Sequence, residues 1–248
     1  MAQAQGLREV AYFDCPGGGQ VVVNGSLAFI GHQRWPEGTT IVDVSDPKNP
    51  RRVAEIGRLA EFTHSHKVRS VGDLMLVNYE PMKHLGPTPD GFEGGLGIYD
   101  ISKPASPRKL AHWPCQGIHR FTFDGRYAYV SPQFEGYLGN IVSILDLADP
   151  EHPQEVGRWW APGQWIAGGE TPSWDTSDPE LMPRCHHPIR HKDMLFTSYW
   201  HGGGYILDIS DMTRPKKVSG FSWSPPFPWP NHTLLPIPFP IGGRDYMM

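Results

Sequence analysis

Short apolar runs separated by polar turns dominate the chain. QVVV, LAFI, LMLVNY, YAYV, IVSILDL and MLFTSYW are rich in β-branched and aromatic residues and are too brief for helices, so each reads as a strand. The runs belong to a unit that recurs. IVDVSDPKNPRRVAEIG, IYDISKPASPRKLAHWP, ILDLADPEHPQEVGRWW and ILDISDMTRPKKVSGFS begin at residues 41, 98, 144 and 206. Each contains an apolar strand ending at Asp, a turn, and an outgoing strand of the form Pro-x-x-Val/Leu. Upstream of each lies a two-strand piece joined through Gly, Asp or Lys-Asp: VVVNGSLAFIG, VRSVGDLMLVN, FTFDGRYAYVS and PIRHKDMLFTS. The pattern predicts four strands per repeat.

Four-stranded units at this spacing are what a β-propeller requires, because radial packing leaves only short, protected sheet edges. The predicted fold is an all-β propeller in a single domain over residues 1–248, with repeats at about 19–63, 64–116, 117–164 and 185–230. A partial fifth, 231–248, matches the opening half of a repeat, and 7–18 matches an outer half that would complete it. The expectation is about five visible blades, as a small ring or, the favoured alternative, a piece of a larger ring such as a seven-bladed one. The turn IVDVSDPKNP resembles the LVIVD-repeat family of β-propellers. The resemblance covers nearly the whole chain and implies the fold far more than an activity.

Composition narrows the functional classes. With 248 residues and 39% hydrophobic content the chain can bury a substantial core, while 28 Gly and 26 Pro interrupt any long helix. Net charge is −4 and the 22 Lys and Arg form no basic block, so no nucleic-acid partner is expected. Three cysteines fit a reducing compartment better than a disulfide framework, and MAQAQGLREV has no apolar core of a signal peptide. No run is long and apolar enough for a spanning helix, so no membrane role is expected either, and the predicted location is the cytoplasm. Oligomeric state is not legible.

The candidate chemistry lies in the histidines. Aligned on the second strand of each repeat, His66, His119 and His186 each stand seven residues ahead of Asp73, Arg126 and Asp193, the residues that precede an apolar run. His232 opens the corresponding strand of the partial repeat, and the first repeat has Gly19 there. Equivalent positions on innermost strands lie at similar height around a propeller axis, so these four imidazoles are predicted to hold one metal ion. Imidazole suits Fe, Cu, Zn and Ni and selects against Mg and Ca. Inheritance of a packing histidine by every repeat is the competing explanation. His64 shares a strand face with His66, and His187 replaces His186 if the strand shifts by one residue. His64, His187 and Glu61 are therefore candidate neighbours of the metal or proton shuttles, with Glu80 and Glu93 as further carboxylates able to fix an imidazole tautomer.

The histidine set resembles the four-histidine iron centre of carotenoid cleavage oxygenases and, more loosely, the histidine-rich centre of selenium-binding protein and methanethiol oxidase. On that resemblance His66, His119, His186 and His232 correspond to ligands, the cofactor is Fe(II) or Cu with Zn as an alternative, and the activity is that of an oxygenase or oxidase. The expected partner is a small apolar or aromatic substrate, met by Trp165, Trp174, Phe221, Trp223, Phe227 and Trp229 from the long insertions. With Zn the same centre would serve hydrolase or lyase chemistry. A non-catalytic propeller scaffold for protein interaction is the alternative from another class. Cys15, Cys115 and Cys185 read as buried small hydrophobes rather than ligands.

Overall fold

The computed structural model describes residues 6–33, 37–59, 63–82, 88, 90–178, 181–223, 227 and 230–248. Four antiparallel sheets follow one another along the chain, and each is one sequence repeat. The first comprises β1 (Gly18–Asn24), β2 (Leu27–His32), β3 (Glu37–Asp43) and β4 (Arg51–Gly57) in sequential order. The second has five strands: β5 (Thr63–His64) and β6 (Val68–Val71) both pair with β7 (Leu74–Pro81), followed by β8 (Gly94–Asp100) and β9 (Arg108–Cys115). The third contains β10 (Ile118–Phe123), β11 (Tyr127–Pro132), β12 (Val142–Asp146) and β13 (Gln154–Trp159), and the fourth β14 (His187–His191), β15 (Met194–Ser198), β16 (Gly204–Asp208) and β17 (Lys216–Phe221). Strand β1 packs on β6, β6 and β7 on β10, and β10 on β14, so the first strands of successive sheets stand side by side. This is a β-propeller arrangement of four-stranded blades.

The repeated Asp explains the turn in each blade. Asp43, Asp100, Asp146 and Asp208 close their strands, and Oδ1 of each accepts the backbone N–H two residues on, from Ser45, Ser102, Ala148 and Ser210, at 2.8–2.9 Å. An Asx turn ends the strand and starts the reversal in one step. Three of the four blades reinforce the turn with a second one, Asp46 to Lys48, Asp149 to Glu151 and Asp211 to Thr213.

Blades bury their faces against each other. One core cluster joins Phe29 and Ile41 of the first blade to Val68, Met75, Val77 and Tyr79 of the second. Another joins Leu76, Leu96 and Ile98 to Ile118, Phe121 and Val130, and a third joins Tyr129, Val142 and Ile144 to Leu195, Tyr199 and Leu207. Middle strands are therefore apolar on both faces, as β8 shows, while the outer β4, β9 and β17 alternate or face solvent. Beyond the fourth blade, residues 231–248 form a small hairpin with bridges Pro236 to Met247 and Ile241 to Arg244, and residues 7–15 carry no strand. Among the described residues no helix is long and apolar enough to cross a membrane.

Candidate metal centre

Strand β5 and the link to β6 carry His64 and His66. This segment is clamped between the first and second blades: Ser65 N–H donates to the His32 carbonyl at 3.2 Å, and Gln20 N–H to the His66 carbonyl at 3.1 Å. The approach explains Gly19, the position that breaks the histidine register, because a Cβ there would lie 2.8 Å from the His66 Cβ. Gly31 is tighter still, with a virtual Cβ 2.6 Å from the His66 carbonyl carbon. The first blade thus contributes space for His66 in place of a ligand.

The structure brings the predicted imidazoles into one row. Ring centroids are 4.5 Å apart for His64 and His66, 6.2 Å for His66 and His119, 4.7 Å for His119 and His186, and 4.0 Å for His186 and His232. Within the row the tightest grouping of potential ligand atoms is His64, His66 and Glu80, all within 4.8 Å of one another. That cluster could hold a metal ion. His64 and Glu80 are cross-strand partners between β5 and β7, which sets the carboxylate beside the imidazoles. Glu80 accepts from His64 Nε2 at 2.8 Å and from His119 Nδ1 at 2.9 Å. Burial alone would raise its pKa; the His119 and His64 contacts win, and its carboxyl stays well below the usual carboxylate range. Nδ1 of His64 and Nδ1 of His66 are buried and have no hydrogen-bond partner. Orphaned imidazole nitrogens beside an ionised carboxylate are a donor set that a transition-metal ion would satisfy.

The remaining candidates divide. His186 Nδ1 bonds the His232 carbonyl, which Ser198 Oγ also reaches at 3.0 Å. Burial, then His119, His232 and Arg120, push the His186 pKa far down, so it is neutral. His232 is lowered by burial and by Arg120. His187 lies at 6.5 Å from the His186 ring, buried, with neither ring nitrogen partnered. Glu61 lies outside the described residues. Glu93 acts on His112, away from this row. Cys185 is fully enclosed, and burial lifts the Cys115 thiol to about 12, so neither offers a thiolate; Cys15 Sγ stands 3.6 Å from His32 Nε2.

A cleft of about 180 Å³ opens beside Glu80 and His119, lined also by Gln133, Asn140, Arg184 and Trp200. The expected aromatic lid does not form it. Trp165 packs with Tyr137 and Trp160, Trp174 against Gly163, and Phe221 on Trp223. Phe227 is 61% exposed and does not line the cleft, and Trp229 lies outside the described residues. The aromatic wall is Trp200, held at φ 45° and bridged to Asn231. It stands 4.6 Å from the His186 ring, with the Arg184 guanidinium 5.1 Å over it. A left-handed backbone is uncommon for so bulky a residue and marks a site where the surroundings impose the conformation.

Fold and site together define a repeat-built propeller with a histidine–glutamate cluster on β5, β7 and the link between β5 and β6. The LVIVD repeat family model matches residues 18–56 and 91–110, so the chain is similar to that family over part of its length. No curated protein sequence matches it. Among solved structures it is similar to the computationally designed Ika8 protein, with 7% identity, a TM-score of 0.53 and coverage of 83% of this chain and 50% of that one. The designed Ika4 protein gives the same identity and TM-score over 82% of this chain and 99% of that one. A hypothetical selenium-binding protein from Sulfolobus tokodaii aligns at 12% identity and a TM-score of 0.37 over 84% of this chain and 61% of that one. The chain spans half the length of Ika8, and likenesses at such identity concern the fold alone.

Proposed function

We propose that the protein is a metal-dependent oxidoreductase that acts on a small molecule in the cleft beside Glu80 and His119. The observation that carries this reading is the grouping of His64, His66 and Glu80, whose potential ligand atoms lie within 4.8 Å of one another. Two imidazoles and one carboxylate with open positions are the ligand set of non-haem Fe(II) oxygenases. His119, His186 and His232 continue the row from His66, so the four-histidine set expected from sequence stands beside the trio that includes Glu80 as a second choice of ligands. When bound there, iron or copper supplies Lewis acidity and one-electron chemistry toward oxygen.

The chain's own residues do the rest. Glu80 orients His119 through a charge-assisted hydrogen bond, and without a metal it holds His64 Nε2 in the same way. With Nδ1–H given to Glu80, the basic nitrogen of His119 is Nε2, which can accept a proton from a molecule in the cleft. Trp200 offers a flat apolar wall, and Arg184, Gln133 and Asn140 supply polar recognition, so the substrate has a flat face and at least one anionic or carbonyl group.

The test is metal analysis of untagged protein, then oxygen-electrode assays of the iron-loaded form with aromatic carboxylates and carbonyl compounds. The reading expects about one equivalent of iron or copper retained through dialysis, lost in His66→Ala, with substrate-dependent oxygen uptake. Zinc held by the same residues without oxygen uptake points to hydrolase or lyase chemistry. Metal-free protein of unchanged stability supports a scaffold.

A further inference from the structure

One residue beyond the aligned histidines runs a second register. Lys67 follows His66, Arg120 follows His119 and His187 follows His186, and Arg69 adds a fourth cationic or imidazole side chain from β6. Lys67 is only 2% exposed and its ammonium has no hydrogen-bond partner. His187, 8% exposed, has neither ring nitrogen satisfied, and Arg120 Nε is likewise buried and unpaired. Arg69 Nη1 donates to Gln20 Oε1 at 2.6 Å and to the Val68 carbonyl at 2.9 Å.

Strand β10 packs against both β6 and β14, which brings these groups near one another. Besides its burial, Lys67 feels repulsion from Arg120 and Arg69, and His187 feels Arg120, Arg69 and Lys67. Among the described residues the carboxylate that acts on Lys67 and Arg120 is Glu80, whose oxygens already accept from His64 and His119. Both guanidinium groups keep their charge at any working pH. Two guanidinium groups and the buried, unpartnered Lys67 amine share one committed carboxylate, so the buried space lacks both a counter-charge and acceptor atoms for these donors.

We propose that Lys67, Arg69, Arg120 and His187 form an anion site for a compact oxyanion of the phosphate or sulfate class. The unpaired donors of Lys67, Arg120 and His187 come from three neighbouring blades whose first strands pack side by side, an arrangement suited to an ion with acceptor oxygens on several sides.

The experiment is a calorimetric titration of the whole protein with inorganic phosphate in chloride buffer, before and after chelator treatment. Thermal melts in phosphate, sulfate, acetate and chloride at equal ionic strength accompany it. Saturable phosphate binding with a saturable rise in Tm, in both metal states, is expected, whereas general salting-out rises without saturation. Arg120→Gln and Lys67→Met should each weaken binding about tenfold or more. Lys67→Met should also melt no lower than the wild type in phosphate-free buffer, since it removes an unpaired buried charge. No saturable response in the wild type, a response to acetate alone, or full phosphate affinity in both variants would overturn the assignment.

Discussion

At the scale of single residues, the site is a matter of which imidazoles find partners. The register of His66, His119 and His186 was legible because a repeat copies position, and the structure places those rings in one row. Glu80 was one carboxylate among several in the sequence. Its role depends on β5 pairing with β7 beyond the break between β5 and β6, and no local pattern announces that pairing. Replacing Glu80 with Gln keeps its shape and removes its charge, so metal affinity should fall by about 10–100-fold or more, measured by competition with a chromophoric chelator. An unchanged affinity would show that the carboxylate is a bystander.

His187 makes a pH prediction. Burial, followed by Arg120, pushes its pKa from 6.5 down to about 3. The folded state therefore keeps it neutral while the unfolded chain takes up a proton. Its stabilising contribution is intact above about pH 6.5 and is lost as pH falls toward about 3. The expected slope is about 1.4 kcal/mol per pH unit within that window. Urea midpoints in chloride buffer from pH 7 downward should fall more steeply for the wild type than for His187→Phe. Parallel curves would mean that this imidazole is hydrated in the folded protein.

At the scale of elements, the turns were the most readable feature, since Asp at the strand end acts through bonds to its own neighbours. The hairpin between β14 and β15 departs from its counterparts: Lys192 sits at φ 54°, where β1–β2 and β6–β7 have Gly25 and Gly72. Lys192→Gly should therefore stabilise the protein by up to about 1 kcal/mol, seen in denaturant midpoints. Gly31 works in the opposite sense. A methyl group there meets backbone of Ser65 and His66, which cannot yield as a flexible side chain would. Gly31→Ala should cost about 1–3 kcal/mol and displace His66, lowering metal retention without touching a ligand. Close approach of this kind belongs to the packing of two blades, so Gly19 and Gly31 carry no signal of it in sequence.

At the scale of the whole molecule, stability rests on cores shared between neighbouring blades. The strand count and order followed from repeat spacing, while the position of the functional cleft did not. The described aromatic residues of the insertions do not line the cleft, which is formed by Glu80 and His119 with Gln133 and Asn140 from the β11–β12 connection, Arg184 from the segment before β14 and Trp200 from the β15–β16 turn. Ile98, fully buried between the second and third blades, should cost about 2–5 kcal/mol when replaced by Ala. Because that cluster is common to two sheets, their unfolding should remain coincident by tryptophan fluorescence and circular dichroism.

The most direct check of the metal-centre account is a crystal of metal-loaded protein measured across the metal's absorption edge. The account predicts an anomalous peak within about 2.0–2.3 Å of a nitrogen of His64 and of His66 and an oxygen of Glu80. A peak elsewhere, or no peak while Glu80 still joins His64 to His119, would contradict it.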